Sequence, residues 1–197
     1  MSSQAQPLVT SEEYLAHERQ AESRSEFWDG EVVAMSGASF AHNLIVANVV
    51  GELRFQLKKR PCSVVPSDLR VYLEATHRYV YPDVVVVCGD PEFTDEENDT
   101  LINPTLIFEV LSKTTKDYDR GEKFLRYRTL PSLREYVLIS QDRPFVEHFV
   151  KQAEDKWLLS EVHGLEATMT LESIDCRLEL AEAYDKVALP QASLRVV

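Results

Sequence analysis

The chain has 197 residues, 44% of them hydrophobic, with 21 basic against 33 acidic side chains and a formal net charge of −12. Such a length and apolar content suit a single domain over 1–197, and the acidic balance counts against a nucleic-acid partner, since binders usually carry a basic excess. No apolar run approaches the roughly 20 residues of a membrane-spanning helix, and "MSSQAQPLVTSEEYL" has neither the basic region nor the apolar stretch of a signal peptide.

In chain order, "LVTSEEYLAHERQ" opens with Thr10 and Glu13 at capping-box spacing, which predicts a short helix. "SEFWDGEVVAM" reads as a hairpin turning at Asp29-Gly30. "SFAHNLIVANVVGELRFQLKKR" is the clearest helix, with Ile45, Val49, Leu53 and Leu57 recurring every fourth position. Short strands follow at "CSVVPS", "LRVYLEA", "YVYPDVVVV" and "TLIFEVLS", then a basic helix over "TKDYDRGEKFLRYRTL" that ends before Pro131. "LREYVLIS", "FVEHFVK", "DKWLLSEVHG" and "TLESIDCRLEL" predict further strands, and "AEAYDKV" a closing helix. The fold class is therefore α/β. Strands 79–87 and 105–111 are apolar on both faces and belong in the middle of a covered sheet. The three cysteines, Cys62, Cys88 and Cys176, are odd in number and lack ligand spacing, so reduced, buried thiols in a cytoplasmic protein are expected.

Charge is unevenly spread. Asp90 to Asp99 holds six acidic residues and no basic one. Lys113 to Arg134 holds seven basic residues against Asp117, Asp119 and Glu122. That basic run is either a solvated helix face or a local anion-facing surface.

Two carboxylates sit where apolar side chains belong. Alternation puts Asp83 on a face with Tyr81 and Val85, and Glu109 on a face with Ile107 and Leu111. If the strands are neighbours, the two carboxylates approach to about 4 Å and repel by about 4 kcal/mol at an effective dielectric near 20. A shared proton, cationic partners or a divalent metal could offset this. The ordinary alternative is a buried salt bridge of Glu109 with Arg70 or Lys123. His77, His148 and His163 are isolated, Ser112 has no partners for nucleophilic work, and the six glycines form no phosphate loop.

The order Pro82-Asp83, an intervening strand, then Glu109-Val110-Leu111 resembles the PD-(D/E)XK nuclease superfamily, with Leu111 in place of the motif lysine. "DYDRGEKFLRY" sets Asp119 and Lys123 four residues apart on one helix face, so the lysine looks relocated. The longer strings "YPDVVVV" and "EVLSKTTKDYDRGEKFLRYRTLPSLREYVLI" are similar to the Uma-type restriction endonuclease family, a bacterial branch of that superfamily. The likeness extends upstream through "SEFWDGEVVAMSGASFAHNLIVANVVGEL" and downstream through "WLLSEVHGLEATMTLESIDCRLELAEAYDKV", from about Glu12 to Val187.

The resemblance implies a restriction-endonuclease-like core, a mixed central sheet flanked by helices with an N-terminal hairpin. It implies that Asp83, Glu109 and the Val110 carbonyl hold Mg²⁺, with Mn²⁺ able to substitute. Lys123 would orient the attacking water, with Glu31, His42 and Asp119 as accessory residues of the cleft. Arg120 and Arg126, one turn from Lys123, would touch the phosphates of a DNA substrate. A homodimer follows from the need for two sites to cut a duplex. Two other readings stay open. One is a degenerate module serving dimerisation or nucleic-acid docking; the other is a metal-dependent enzyme for a smaller substrate, which would need an enclosed apolar pocket.

Overall fold

Thr10 and Glu13 exchange both bonds of the capping box and start α1 (Ser11–Glu18). The computed structural model describes residues 8–112 and 118–189. Lys113, Lys116 and Asp117 of the basic run, with the start of its predicted helix, lie outside the described residues.

Strands β1 (Ser25–Trp28) and β2 (Glu31–Ala34) form the hairpin, and Asp29 and Gly30 take φ of 49° and 100°, as a two-residue turn of that hand requires. Helix α2 (Phe40–Leu57) is N-capped by Ser39 and buries Ile45, Val46, Val49, Leu53 and Leu57. Then come β3 (Cys62–Pro66), β4 (Arg70–Leu73), β5 (Arg78–Val80), β6 (Val84–Cys88), β7 (Thr100–Leu101) and β8 (Leu106–Leu111). A π-helical turn, Asp119–Lys123, leads into α3 (Phe124–Tyr127). Strands β9 (Glu135–Ser140), β10 (Phe145–Lys151), β11 (Trp157–His163), β12 (Thr168–Leu171) and β13 (Cys176–Glu179) follow, and α4 (Leu180–Ala183) comes last.

The predicted strand 79–87 is two strands in two sheets. β5 belongs to a five-stranded sheet of order β2-β1-β5-β4-β7, and β6 to a six-stranded sheet of order β11-β10-β9-β8-β6-β3. Pro82 has no N–H to give a ladder, and the Tyr81 N–H goes to the Glu26 carboxylate at 3.3 Å, so pairing breaks at Tyr81-Pro82-Asp83. The chain turns that corner from one sheet into the other.

The six-stranded sheet is mixed, with β8 and β9 parallel and its other pairs antiparallel. All six residues of β8 are buried. On one face, Val84, Val86, Phe108 and Val110 pack with α2, the β12–β13 hairpin and α4. On the other, Val85, Val87, Ile107 and Leu111 meet Val71 and Leu101 of the second sheet and Tyr127 of α3. The N-terminal hairpin thus extends the second sheet, which shares with α3 the covering of that face. Among the described residues no helix is long and apolar enough to cross a membrane.

The expectation of three reduced thiols is corrected. Cys62 and Cys88 oppose each other in the β3–β6 ladder and form a disulfide, leaving Cys176 free and buried. Sequence spacing concealed this pair because strand register, and not separation along the chain, brings the two sulfurs together.

Candidate active site

Strand pairing sets the two carboxylates against each other. Val84 opposes Phe108 in the antiparallel β6–β8 ladder, so Asp83, one residue before β6, falls opposite Glu109 in the same register. Asp83 Oδ2 accepts the Val110 N–H at 2.7 Å, which ties the corner to β8. Its Oδ1 lies 2.9 Å from His42 Nε2. His42 sits in the first turn of α2, and its backbone N–H donates to the Ser39 hydroxyl at 3.1 Å. The histidine is therefore capped through its backbone and contacts the acid through its ring.

Glu109 is 3% exposed. Its Oε1 accepts from Lys123 Nζ at 2.8 Å and from the Tyr127 hydroxyl at 2.8 Å. Lys123 also stands 3.7 Å from Asp119 Oδ1, across the π-helical turn. Turns of this wide kind recur where a helix has to present a functional side chain. Leu111, at the motif-lysine position, is buried among the apolar residues of that face. Lys123 reaches the carboxylate from the helix instead.

One carboxylate here escaped the sequence analysis. Glu26 on β1 is buried, accepts from Trp28 Nε1 at 2.9 Å and holds the Tyr81 N–H. It lines the same open cleft, of about 550 Å³, as His42, Asp83, Glu109, Asp119 and Lys123. The available signal was strand alternation, which sets Glu26 and Trp28 opposite the buried Phe27.

The electrostatics are lopsided. Burial pushes the Glu109 carboxyl well above the usual range, Lys123 opposes that push, and Asp83 and Asp119 add to it. Burial works against the Lys123 charge, but Glu109, Glu26, Asp119 and Asp83 together outweigh it and hold the ammonium well above its ordinary value. Four carboxylates thus surround one lysine. The cleft has a deficit of positive charge that a proton or a cation relieves.

Among the described residues no three His, Cys, Asp or Glu side chains group as a ready metal cage. The donors are the two carboxylates Asp83 and Glu109, and both described bonds to Glu109 fall on one oxygen. Two hard oxygen donors suit Mg²⁺, which binds through one or two carboxylates and keeps several waters. The residues present fit the ion.

Three expected residues are not brought to the cleft. Glu31 pairs with Trp28 at the hairpin tip and is exposed. Arg120 donates to Glu147 at 2.6 Å, and Arg126 to Glu122 at 2.7 Å, so both guanidiniums are engaged by carboxylates of this chain. Arg70 also stays away, bonding Thr100, Tyr81 and Asp99.

The profile of the Uma2 family, described as "Putative restriction endonuclease", matches residues 11–182. Two Synechocystis proteins are similar to the chain. "Uncharacterized protein sll1609" is 40% identical over 157 residues, covering 80% of this chain and 89% of its own. "Uncharacterized protein slr1290" is 34% identical over 154 residues, covering 78% and 80%. A crystal structure from Anabaena variabilis, titled a "putative nuclease belonging to DUF820", superposes with a TM-score of 0.75 at 18% identity, over 91% of this chain and 99% of that one. At that identity the likeness shows the fold alone, a restriction-endonuclease-like core.

Proposed function

The chain belongs to the Uma2 family, and from that premise we propose that it is a metal-dependent endonuclease that hydrolyses phosphodiester bonds of DNA, with Asp83, Glu109 and the Val110 carbonyl holding Mg²⁺ or Mn²⁺. The observation that carries this reading is the cluster of four carboxylates around Lys123 on the wall of one open cleft. A divalent ion held there would supply Lewis-acid polarisation and a water of lowered pKa. Lys123 remains cationic and offsets negative charge developing on the phosphate. His42 fixes the orientation of Asp83 through the 2.9 Å contact. Asp119 and Glu26 keep Lys123 charged and positioned. The same proposal treats the chain as one cytoplasmic domain that pairs as a homodimer when both strands of a duplex are cut.

The ion pair of Lys123 with Glu109 favours the competing reading, a docking module whose acids are neutralised within the fold. Metal binding separates the two. Supercoiled plasmid at low salt is expected to be cut with Mg²⁺ or Mn²⁺ and left intact with EDTA. Calorimetric titration with Mn²⁺ is expected to show affinity rising with pH, because Glu109 surrenders its proton when it becomes a ligand. Absence of Mn²⁺ binding at every pH sampled sinks the nuclease reading and leaves the docking module.

A further inference from the structure

We propose that Cys62 is a site of thiol–disulfide exchange that takes an anionic thiol, recruited by the basic groove at the C-terminal end of α2. The groove is an open cavity of about 540 Å³ lined by Arg54, Phe55, Lys58, Arg60 and Cys62, with no carboxylate on its wall. Arg60 has an ion-pair partner in Asp175, whereas among the described residues Arg54 and Lys58 have none. Phe55 stands 78% exposed beside them. On a chain of net charge −12 this is a local reversal of sign, and Cys62 of the Cys62–Cys88 disulfide is among the residues that line it. β3 is the edge strand of its sheet, and among the described residues no strand pairs with it on the side away from β6. Cys62 lines the groove and Cys88 does not.

The chemistry follows from that asymmetry. A thiol gives its proton to solvent, and its thiolate attacks Cys62 Sγ along the disulfide axis. A new S–S bond forms, the Cys62–Cys88 bond breaks, and Cys88 leaves as a thiolate that takes a proton from water. A second thiolate attacks the small-molecule sulfur of the mixed disulfide, the bond to Cys62 Sγ breaks, Cys62 leaves as a thiolate that takes a proton from water, and a symmetrical small disulfide is released. The protein gains two electrons and two protons, and two thiols supply them. Positive groove charge concentrates anionic thiolates and lowers the energy of the charged sulfurs in the step.

Exchange rates of the intact protein with glutathione, 2-mercaptoethanol and cysteamine, each corrected to its thiolate concentration, test the assignment. A disulfide governed by the overall charge reacts fastest with cationic cysteamine. The groove predicts the reverse order, with glutathione fastest by about tenfold at low salt and the advantage lost at high salt. Peptide masses of the trapped intermediate place the adduct on Cys62, and Arg54→Glu with Lys58→Glu removes the glutathione preference. Cysteamine reacting fastest, an adduct on Cys88, or an order untouched by the charge reversal overturns the proposal. So does a protein whose Cys62 and Cys88 are free thiols after aerobic purification.

Discussion

Asp83→Asn is expected to lower metal-dependent cleavage by about 10³-fold or more while leaving stability within about 1 kcal/mol of the wild type. The two effects separate because Asp83 has two tasks carried by different oxygens. One oxygen accepts the Val110 N–H, and an asparagine carbonyl still does so. The charge, which a cation needs and which His42 faces, is gone. Asp83→Ala confounds the tasks, since it strands the Val110 N–H at about 1–3 kcal/mol. Plasmid cleavage, Mn²⁺ titration and urea denaturation on the Asn variant distinguish them. Wild-type cutting by the Asn variant removes Asp83 from the reaction. A large stability loss with cleavage intact makes the residue a fastener of the corner and nothing more.

Why Asp83 and Glu109 could be read from sequence, and Glu26 could not, is a matter of range. A carboxylate inside an apolar strand is conspicuous within a window of a few residues, and strand alternation gives its face. Lys123 comes from the family resemblance, and its spacing four residues after Asp119 places both on one helix face. The hairpin was recognised from Asp29-Gly30, but which of its glutamates faces the cleft depends on how β1 joins β5, a pairing between residues some fifty apart. Glu31, next to the turn, is exposed, whereas Glu26 lines the cleft. Helix position alone offers Arg120 and Arg126 to phosphates, and the ion pair of Arg120 with Glu147 on β10 is a contact between separate elements that such a position does not reveal. Pro82 inside the apolar run 79–87 cannot donate to a ladder, yet the change of sheet at that point needs the Glu26–Tyr81 bond to explain it. Local signals suffice for most elements and for the faces of the acid pair; register and the break at Tyr81-Pro82-Asp83 decide the rest.

Replacing each partner of the Lys123–Glu109 contact should move stability in opposite directions. Lys123→Met leaves Glu109, Asp119, Asp83 and Glu26 without their common cation, and a loss of about 3–5 kcal/mol is expected at pH 8. Glu109→Gln keeps an acceptor for Tyr127, removes a buried charge and relieves its repulsion with Asp83 and Asp119. A gain of about 1 kcal/mol at pH 8 is expected, together with loss of metal-dependent cleavage. The pH dependence fixes the sign independently. Burial raises Glu109 in the folded state, so the folded chain holds that proton more tightly than the unfolded chain, where glutamate titrates near about 4.3. The resulting stability is complete below that value and is lost as pH rises through the higher folded value. Lys123 is also raised, but its contribution persists until pH exceeds the ordinary lysine value of about 10.4, so it does not bend the curve near neutrality. Urea denaturation of metal-free protein between mild acid and pH 8 should therefore show wild-type stability declining, a flatter profile for Glu109→Gln and a steeper decline for Lys123→Met. If Glu109→Gln is the less stable protein at pH 8, the pair is a structural salt bridge and the charge deficit is not held in reserve for a cation. If it is the more stable one, the fold retains a carboxylate that destabilises it until a cation binds, as a metal-dependent hydrolytic site requires.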